Sequence, residues 1–298
     1  MPWPHTSPVQ RGDSMTAIPI RTRTIGTFLL LIVLSLLSRP TLSAATVDGL
    51  NIHWSTAGKG PNTVILVHGW TCDETTWRDQ IPALSKSYRV VTLDLPGHGR
   101  SDSPKAGAFS MDLFARAVEA VRRDVNAQRV VLVGHSMGTP VVLRYAHLFP
   151  KHAAALVLVD GLVTAPGNPP GAPPLVQQMT GPEGRQARER FVRGMFSAAT
   201  TPEMQTRIVS MMMAAPEATA LGALNAVLDP AWQTGETLTF PVLGLYADKS
   251  TLGNRDVMKA RFSNLEYVEI PETGHFLMIE KPEAFNARLI AFLDKQKY

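Results

Sequence analysis

The residues that could do chemistry fall at the ends of apolar runs. Val130-Val131-Leu132-Val133 leads into Gly134-His135-Ser136-Met137-Gly138, and residues 139–149 follow with helical character. A strand that runs straight into a helix needs a very tight turn, and glycines at its flanks lack the Cβ atoms that would clash as it closes. The spacing therefore predicts a nucleophile elbow with the Ser136 hydroxyl exposed at its apex. A serine hydroxyl attacks well only when a base takes its proton, and a histidine titrating near neutrality suits that task. His275, in Glu272-Thr273-Gly274-His275-Phe276, is the candidate base.

Such groups must be held by a rigid scaffold, and the chain alternates strand-like with helix-like segments. Residues 47–56 alternate around Asp48-Gly49 and read as a hairpin at a sheet edge. Thr63-Val64-Ile65-Leu66-Val67 reads as a buried strand delivering His68-Gly69-Trp70. Residues 77–84 read as a short helix. Residues 89–93 form the next strand, which runs into Asp94-Leu95-Pro96-Gly97-His98-Gly99-Arg100-Ser101. A helix over 111–125 with Ser110 as its cap precedes the elbow, and a strand over 156–159 follows it, ending at Asp160. This order predicts an α/β fold: a mostly parallel central sheet with helices on both faces. Ligands in open sheets of this kind bind at the carboxyl ends of the strands, where His68, Asp94, Ser136 and Asp160 all fall.

The alternation stops after Asp160. Residues 161–240 hold a proline- and glycine-rich stretch and then helical segments near 185–196, 202–214 and 218–228. The reading is a helical lid inserted after the strand that ends at Val159, between core segments 46–160 and 241–298. Met179, Met195, Met204, Met211, Met212 and Met213 lie in it. Methionine side chains there serve as pliable core filler, as the lining of an apolar substrate pocket, or as both. Strand character resumes at Val242-Leu243-Gly244-Leu245-Tyr246, a helix is expected near 255–262, a strand over 265–270, and a closing amphipathic helix over 282–294.

A hydrophobic content of 45% and a charged content of 18% describe a globular protein rather than a disordered one. Of the net charge of +4, four arginines against one aspartate place +3 before residue 46, so the rest carries no nucleic-acid footprint. Cys72 is the single cysteine; no intramolecular disulfide is possible, and the thiol reads as a half-buried small side chain. Zinc-type spacing of Cys and His is absent, and no cofactor or metal is called for.

Residues 1–45 read as a leader rather than as fold. Arg21 and Arg23 precede an apolar run over 25–37, and Ser43-Ala44-Ala45 supplies small residues for cleavage. That is the layout of a secretory signal peptide, and the run is short for a bilayer span. The expectation is a periplasmic or secreted protein with no membrane span after cleavage, an uncleaved anchor being the alternative; Met1 and Met15 are both candidate starts.

His68-Gly69-Trp70, the 94–101 loop, the elbow at 134–138 and Gly274-His275 occur in an order that resembles the α/β-hydrolase superfamily, specifically its lid-bearing serine members. The resemblance implies oxyanion-binding backbone N–H groups at Trp70 and Met137, with His68 and His135 as structural neighbours and Asp94 as an organiser of its loop. It also implies an acid that orients His275. Most members carry it shortly after the strand 242–246, but counting from Ala247 lands on Ser250, which holds no charge. Two carboxylates remain. Asp160 corresponds to the position some relatives use, after the strand that follows the elbow; Asp248 is the alternative.

The resulting expectation is a serine esterase-like hydrolase with Ser136, His275 and Asp160 (or Asp248), cleaving an ester or other acyl bond of a small, apolar substrate through an acyl-serine intermediate. A carbon–carbon bond hydrolase and a cofactor-free perhydrolase use the same fold. A ligand-binding protein of low turnover is the reading from another class.

Overall fold

The computed structural model of the protein describes residues 45–163, 173–234 and 237–296. The leader over 1–45 therefore lies outside the described residues except for Ala45, which is buried and pairs with Ile52 as the start of the first strand. Strands β1 (Ala45–Val47) and β2 (Leu50–Ile52) make a two-stranded antiparallel sheet around Asp48-Gly49. β3 (Trp54–Ala57) then joins the main sheet instead of extending this hairpin. The expected single hairpin at the sheet edge is thus split at His53. Its N–H is taken by the Ser101 hydroxyl at 2.8 Å and its carbonyl by Asp94 N–H at 3.0 Å, so nothing is left for a ladder partner.

Next come β4 (Thr63–Val67), a 3-10 turn (Glu74–Trp77), α1 (Ile81–Leu84), β5 (Arg89–Leu93), α2 (Met111–Asp124), β6 (Val130–His135), α3 (Gly138–Leu148) and β7 (Ala153–Val159). The 3-10 turn and α1 stand where one helix was expected. α2 starts as the sequence predicts, with Ser110 Oγ accepting from Leu113 N–H at 3.1 Å. Four helices follow: α4 (Pro173–Gln178), α5 (Gly184–Arg193), α6 (Pro202–Ala214) and α7 (Glu217–Leu228). β8 (Leu238–Ala247), α8 (Arg255–Arg261), β9 (Phe262–Ile270), α9 (Leu277–Glu280) and α10 (Pro282–Lys295) are the last elements among the described residues. β8 begins at Leu238, before the expected boundary at 241, because Leu238 is buried and pairs with Phe262 across an irregularity that Pro241 ends.

The seven-stranded sheet has the order β3-β5-β4-β6-β7-β8-β9, with only β3 antiparallel. α2 packs with α3 and α1 with α10. Every residue of β4, β6 and β7 is buried, as parallel strands covered on both faces must be. Each buried valine or leucine there contributes about 1.5–3 kcal/mol of transfer free energy, so these strands anchor the loops at their ends.

Register aligns the ends of these strands. His135 of β6 stands opposite Val159 of β7, which stands opposite Leu245 of β8. One residue further, Ser136 N–H donates to Val159 O and Asp160 N–H to Leu245 O, both at 2.9 Å. Ser136 and Asp160 therefore leave the sheet at the same level, on adjacent strands.

Candidate active site

The elbow is built by close approach. A Cβ on Gly134 would lie 2.2 Å from Gly138 O, and one on Gly138 would lie 2.4 Å from Val67 O. Only glycine fits at either position. Between them Ser136 is forced to φ +53°, a left-handed conformation that costs a non-glycine residue about 1–3 kcal/mol and persists only where its surroundings over-determine it. α3 begins two residues later, so the positive end of its backbone dipole faces the serine.

Asp160 is also in the left-handed region, at φ +39°. Its Oδ2 lies 2.7 Å from His275 Nδ1, and its Oδ1 accepts from Ala247 N–H at 3.2 Å. Asp160 is 3% exposed. Burial on its own would raise its carboxyl pKa; the hydrogen bond and charge of His275, the Ser250 hydroxyl and the Ala247 N–H outweigh it, and the group stays below the ordinary carboxylate range. Asp248, the alternative acid, is exposed, and His275 Nδ1 is already engaged by Asp160. Ser250, the position at which the resemblance implies an acid in most members, supports Asp160 instead.

Two further contacts fix the His275 loop. His135 Nε2 is 2.8 Å from His275 O; a carbonyl only accepts, so that nitrogen carries the proton. Burial first, and then the neighbouring His275 charge, push the His135 pKa down to about 3, so this ring is neutral. The second contact is Glu280, 8% exposed, whose carboxylate accepts from Gly274 N–H at 2.5 Å and from the Thr200 hydroxyl at 2.6 Å. Thr200 lies between α5 and α6, so one carboxylate joins the helical insertion to the residue before His275. Sequence reasoning missed Glu280 and Thr200; the signal available was an acid inside the apolar run Leu277-Met278-Ile279-Glu280.

On the other side of the serine, His68 Nδ1 donates to Gly69 O at 2.8 Å while its Nε2 accepts from Leu95 N–H at 3.0 Å. Burial lowers its pKa as well, against the pull of Asp94. This neutral ring pins the turn that carries Trp70, whose indole N–H donates to Ala220 O of α7 at 2.7 Å. Asp94 accepts from the N–H groups of Glu74 (2.7 Å) and Arg100 (2.9 Å), tying two loops together. Cys72 is buried rather than half-buried, because its N–H closes the Gly69 turn, and burial pushes its thiol up to about 12.

A cavity of 640 Å³ opens over these groups. Ser136, Asp160 and His275 line it together with apolar residues from the insertion, among them Phe191, Met195, Leu224 and Val227. Trp70 and Met137, the expected oxyanion positions, line it too. Of the six insertion methionines only Met195 borders this cavity; Met211 and Met212 are packed in the core, where Met211 Sδ also receives the Thr76 hydroxyl at 3.4 Å. The filler role therefore holds for most of them.

A family model described as alpha/beta hydrolase fold matches residues 62–282. The pimeloyl-[acyl-carrier protein] methyl ester esterase of Pectobacterium carotovorum is 28% identical over 261 residues, covering 81% of this chain and 98% of that protein. An uncharacterized Mycobacterium tuberculosis protein is 36% identical over 121 residues, 41% of this chain; the chain spans about a third (35%) of that relative's length. Among solved structures, an esterase from Thermogutta terrifontis superposes with a TM-score of 0.75 at 24% identity, covering 86% of this chain and 97% of that one, which is a likeness of fold.

Proposed function

The chain belongs to the α/β-hydrolase fold family, and on that premise we propose that it is a serine hydrolase that cleaves a carboxylic ester of a small, largely apolar substrate. The observation that carries the reading is the 2.7 Å pair of His275 Nδ1 and Asp160 Oδ2 beside a cavity that Ser136 also lines. Asp160 fixes the tautomer in which Nδ1 holds the proton, which leaves Nε2 free as the base. The Ser136 hydroxyl attacks the ester carbonyl as His275 Nε2 takes its proton. The backbone N–H groups of Trp70 and Met137 stabilise the oxyanion, each such donor being worth about 3 kcal/mol. His275 then protonates the departing alcohol, and a water activated by the same imidazole releases the acid from the acyl-serine. In this reading α4 to α7 form a lid. Their apolar side chains favour an acyl or aryl group and keep bulk water from the intermediate.

The layout of residues 21–45 supports export to the periplasm or medium, and sequencing the mature N-terminus tests it: a protein that retains residues 25–37 is anchored instead.

The decisive experiment is turnover of nitrophenyl acetate, butyrate and octanoate by the full chain and by Ser136→Ala, with mass spectrometry after a fluorophosphonate probe. Turnover lost in the variant and an adduct on Ser136 are expected. If the wild type hydrolyses none of these esters and Ser136 takes no label, the proposal fails.

A further inference from the structure

Beneath the insertion's outer face is a second, smaller cavity of 190 Å³, lined by Arg185, Arg188, Met213 and Glu217 among others. Arg188 is only 4% exposed, which is uncommon for an arginine without a carboxylate partner. Its Nη2 reaches Met213 O at 3.5 Å, the outer limit of a hydrogen bond, and Arg185 Nη1 reaches the same carbonyl at the same distance. Its Nε is buried and has no partner among the described residues. Glu217 borders the cavity but is exposed, and no carboxylate of the described residues lies within the 4.0 Å of an ion pair with either arginine. Two guanidinium groups, one of them buried, thus share one distant neutral acceptor. Burial, then the Arg185 charge, lowers the Arg188 pKa, and the Glu217 charge offsets only part of that.

We infer that the cavity between α5, α6 and α7 is a binding site for a small oxyanion, a carboxylate or a phosphate, held by Arg188 and Arg185. A planar guanidinium fork matches either anion in a bidentate pair. The volume admits one such group and excludes a bulky polyanion. The site is separate from the cavity over Ser136, but α5 and α7 wall both, through Phe191 and Leu224 on one side and Arg188 and Leu221 on the other. An anion here therefore braces the helices that cover Ser136. The inference does not depend on the ester chemistry.

Thermal unfolding of the full chain tests it, in buffered chloride with inorganic phosphate or acetate raised at constant ionic strength. For the wild type, Tm rises and saturates with the oxyanion that fits, since a ligand bound only by the folded state stabilises it by mass action. A response to phosphate alone or to acetate alone assigns the anion, and either supports the site. Arg188→Met is expected to be at least as stable as wild type in plain chloride, because it removes a buried charge without a partner, and to lose the oxyanion response. Arg185→Ala, an exposed position that leaves folding intact, weakens the apparent affinity at least fivefold and serves if Arg188→Met does not fold. A flat wild-type response overturns the inference. So does an equal rise in wild type and both variants, or a wild type indifferent to oxyanions in which Glu217→Gln lowers Tm, because Glu217 is then the partner.

Discussion

Asp160 Oδ2 lies 2.7 Å from His275 Nδ1 although 115 residues, including the whole helical insertion, separate them in the chain. Asp160 directly follows β7, beside the strand that leads into Ser136, and β8 and the turn after it supply the Ala247 N–H and the Ser250 hydroxyl to the same carboxylate.

This arrangement sets the first prediction. Asp160→Asn lowers kcat for ester hydrolysis by about 10³–10⁴-fold, because an amide no longer fixes the His275 tautomer. Asp248→Asn, an exposed substitution, changes it less than about twofold. Steady-state kinetics of both variants, with active sites titrated, decides. The reverse pattern would move the acid to the loop after β8.

The Glu280 bridge sets the second. Thr200→Val leaves one oxygen of a buried carboxylate without its donor, which costs about 1–3 kcal/mol locally, and the strain falls on the loop before His275. The expected result is a kcat per titrated site about tenfold lower with KM little changed, and recovery in Thr200→Ser. A loss of titratable sites with unchanged kcat per site would mean that Glu280 only holds the fold together.

Acid stability follows from buried rings. Burial holds His98 and His135 neutral, with pKa values down to about 3 against 6.5 when unfolded. Between these values the unfolded chain binds more protons, so stability falls as pH drops from 6.5 toward 3, by up to about 1.4 kcal/mol per unit for each ring. Asp160, also held low, adds its loss only below its ordinary value of 3.8. Urea midpoints at pH 7.5, 6.0 and 5.0 should therefore decline, above the pH at which Asp160 contributes. A midpoint constant down to pH 4.5 would contradict the neutral-ring assignment.

Away from the cavity, Glu119 receives Arg122 through two bonds of 2.7 Å and the Tyr145 hydroxyl at 2.8 Å, which joins α2 to α3. Tyr145→Phe should cost about 1 kcal/mol, or roughly 2–4 °C of Tm, and leave ester turnover unchanged. Calorimetry and kinetics on one preparation check both halves.

Local chemistry made the elbow legible: an apolar run, two glycines and a following helix are contiguous, and the steric reason for each glycine acts over a few residues. The choice between Asp160 and Asp248 was open in the sequence because both follow apolar strands. Register decides which carboxylate faces His275, through the Asp160 N–H bond to Leu245 O and the Ala247 N–H bond to Asp160 Oδ1. The hairpin that the alternation over 47–56 predicts breaks at His53 for the same kind of reason, since the hydroxyl that captures its N–H is 48 residues away. The Thr200–Glu280 contact spans 80 residues and leaves no periodicity to read. The bounds of α6 are legible in the sequence, expected over 202–214 and found at Pro202–Ala214, whereas the packing of the insertion's methionines depends on which faces meet.

With Ser136 and Asp160 at the ends of neighbouring central strands and Asp160 against His275, the turn after β8 contributes no carboxylate to that pair. In that turn Ser250 supports Asp160, Gly253 lies against the Tyr246 ring and Asn254 caps α8, whereas Asp248, Lys249 and Thr251 are exposed. Lys249, Thr251 and Leu252 nonetheless border the cavity. Evolution, or a directed-evolution library, can therefore retune substrate preference there by exchange, insertion or deletion without dismantling the reactive centre.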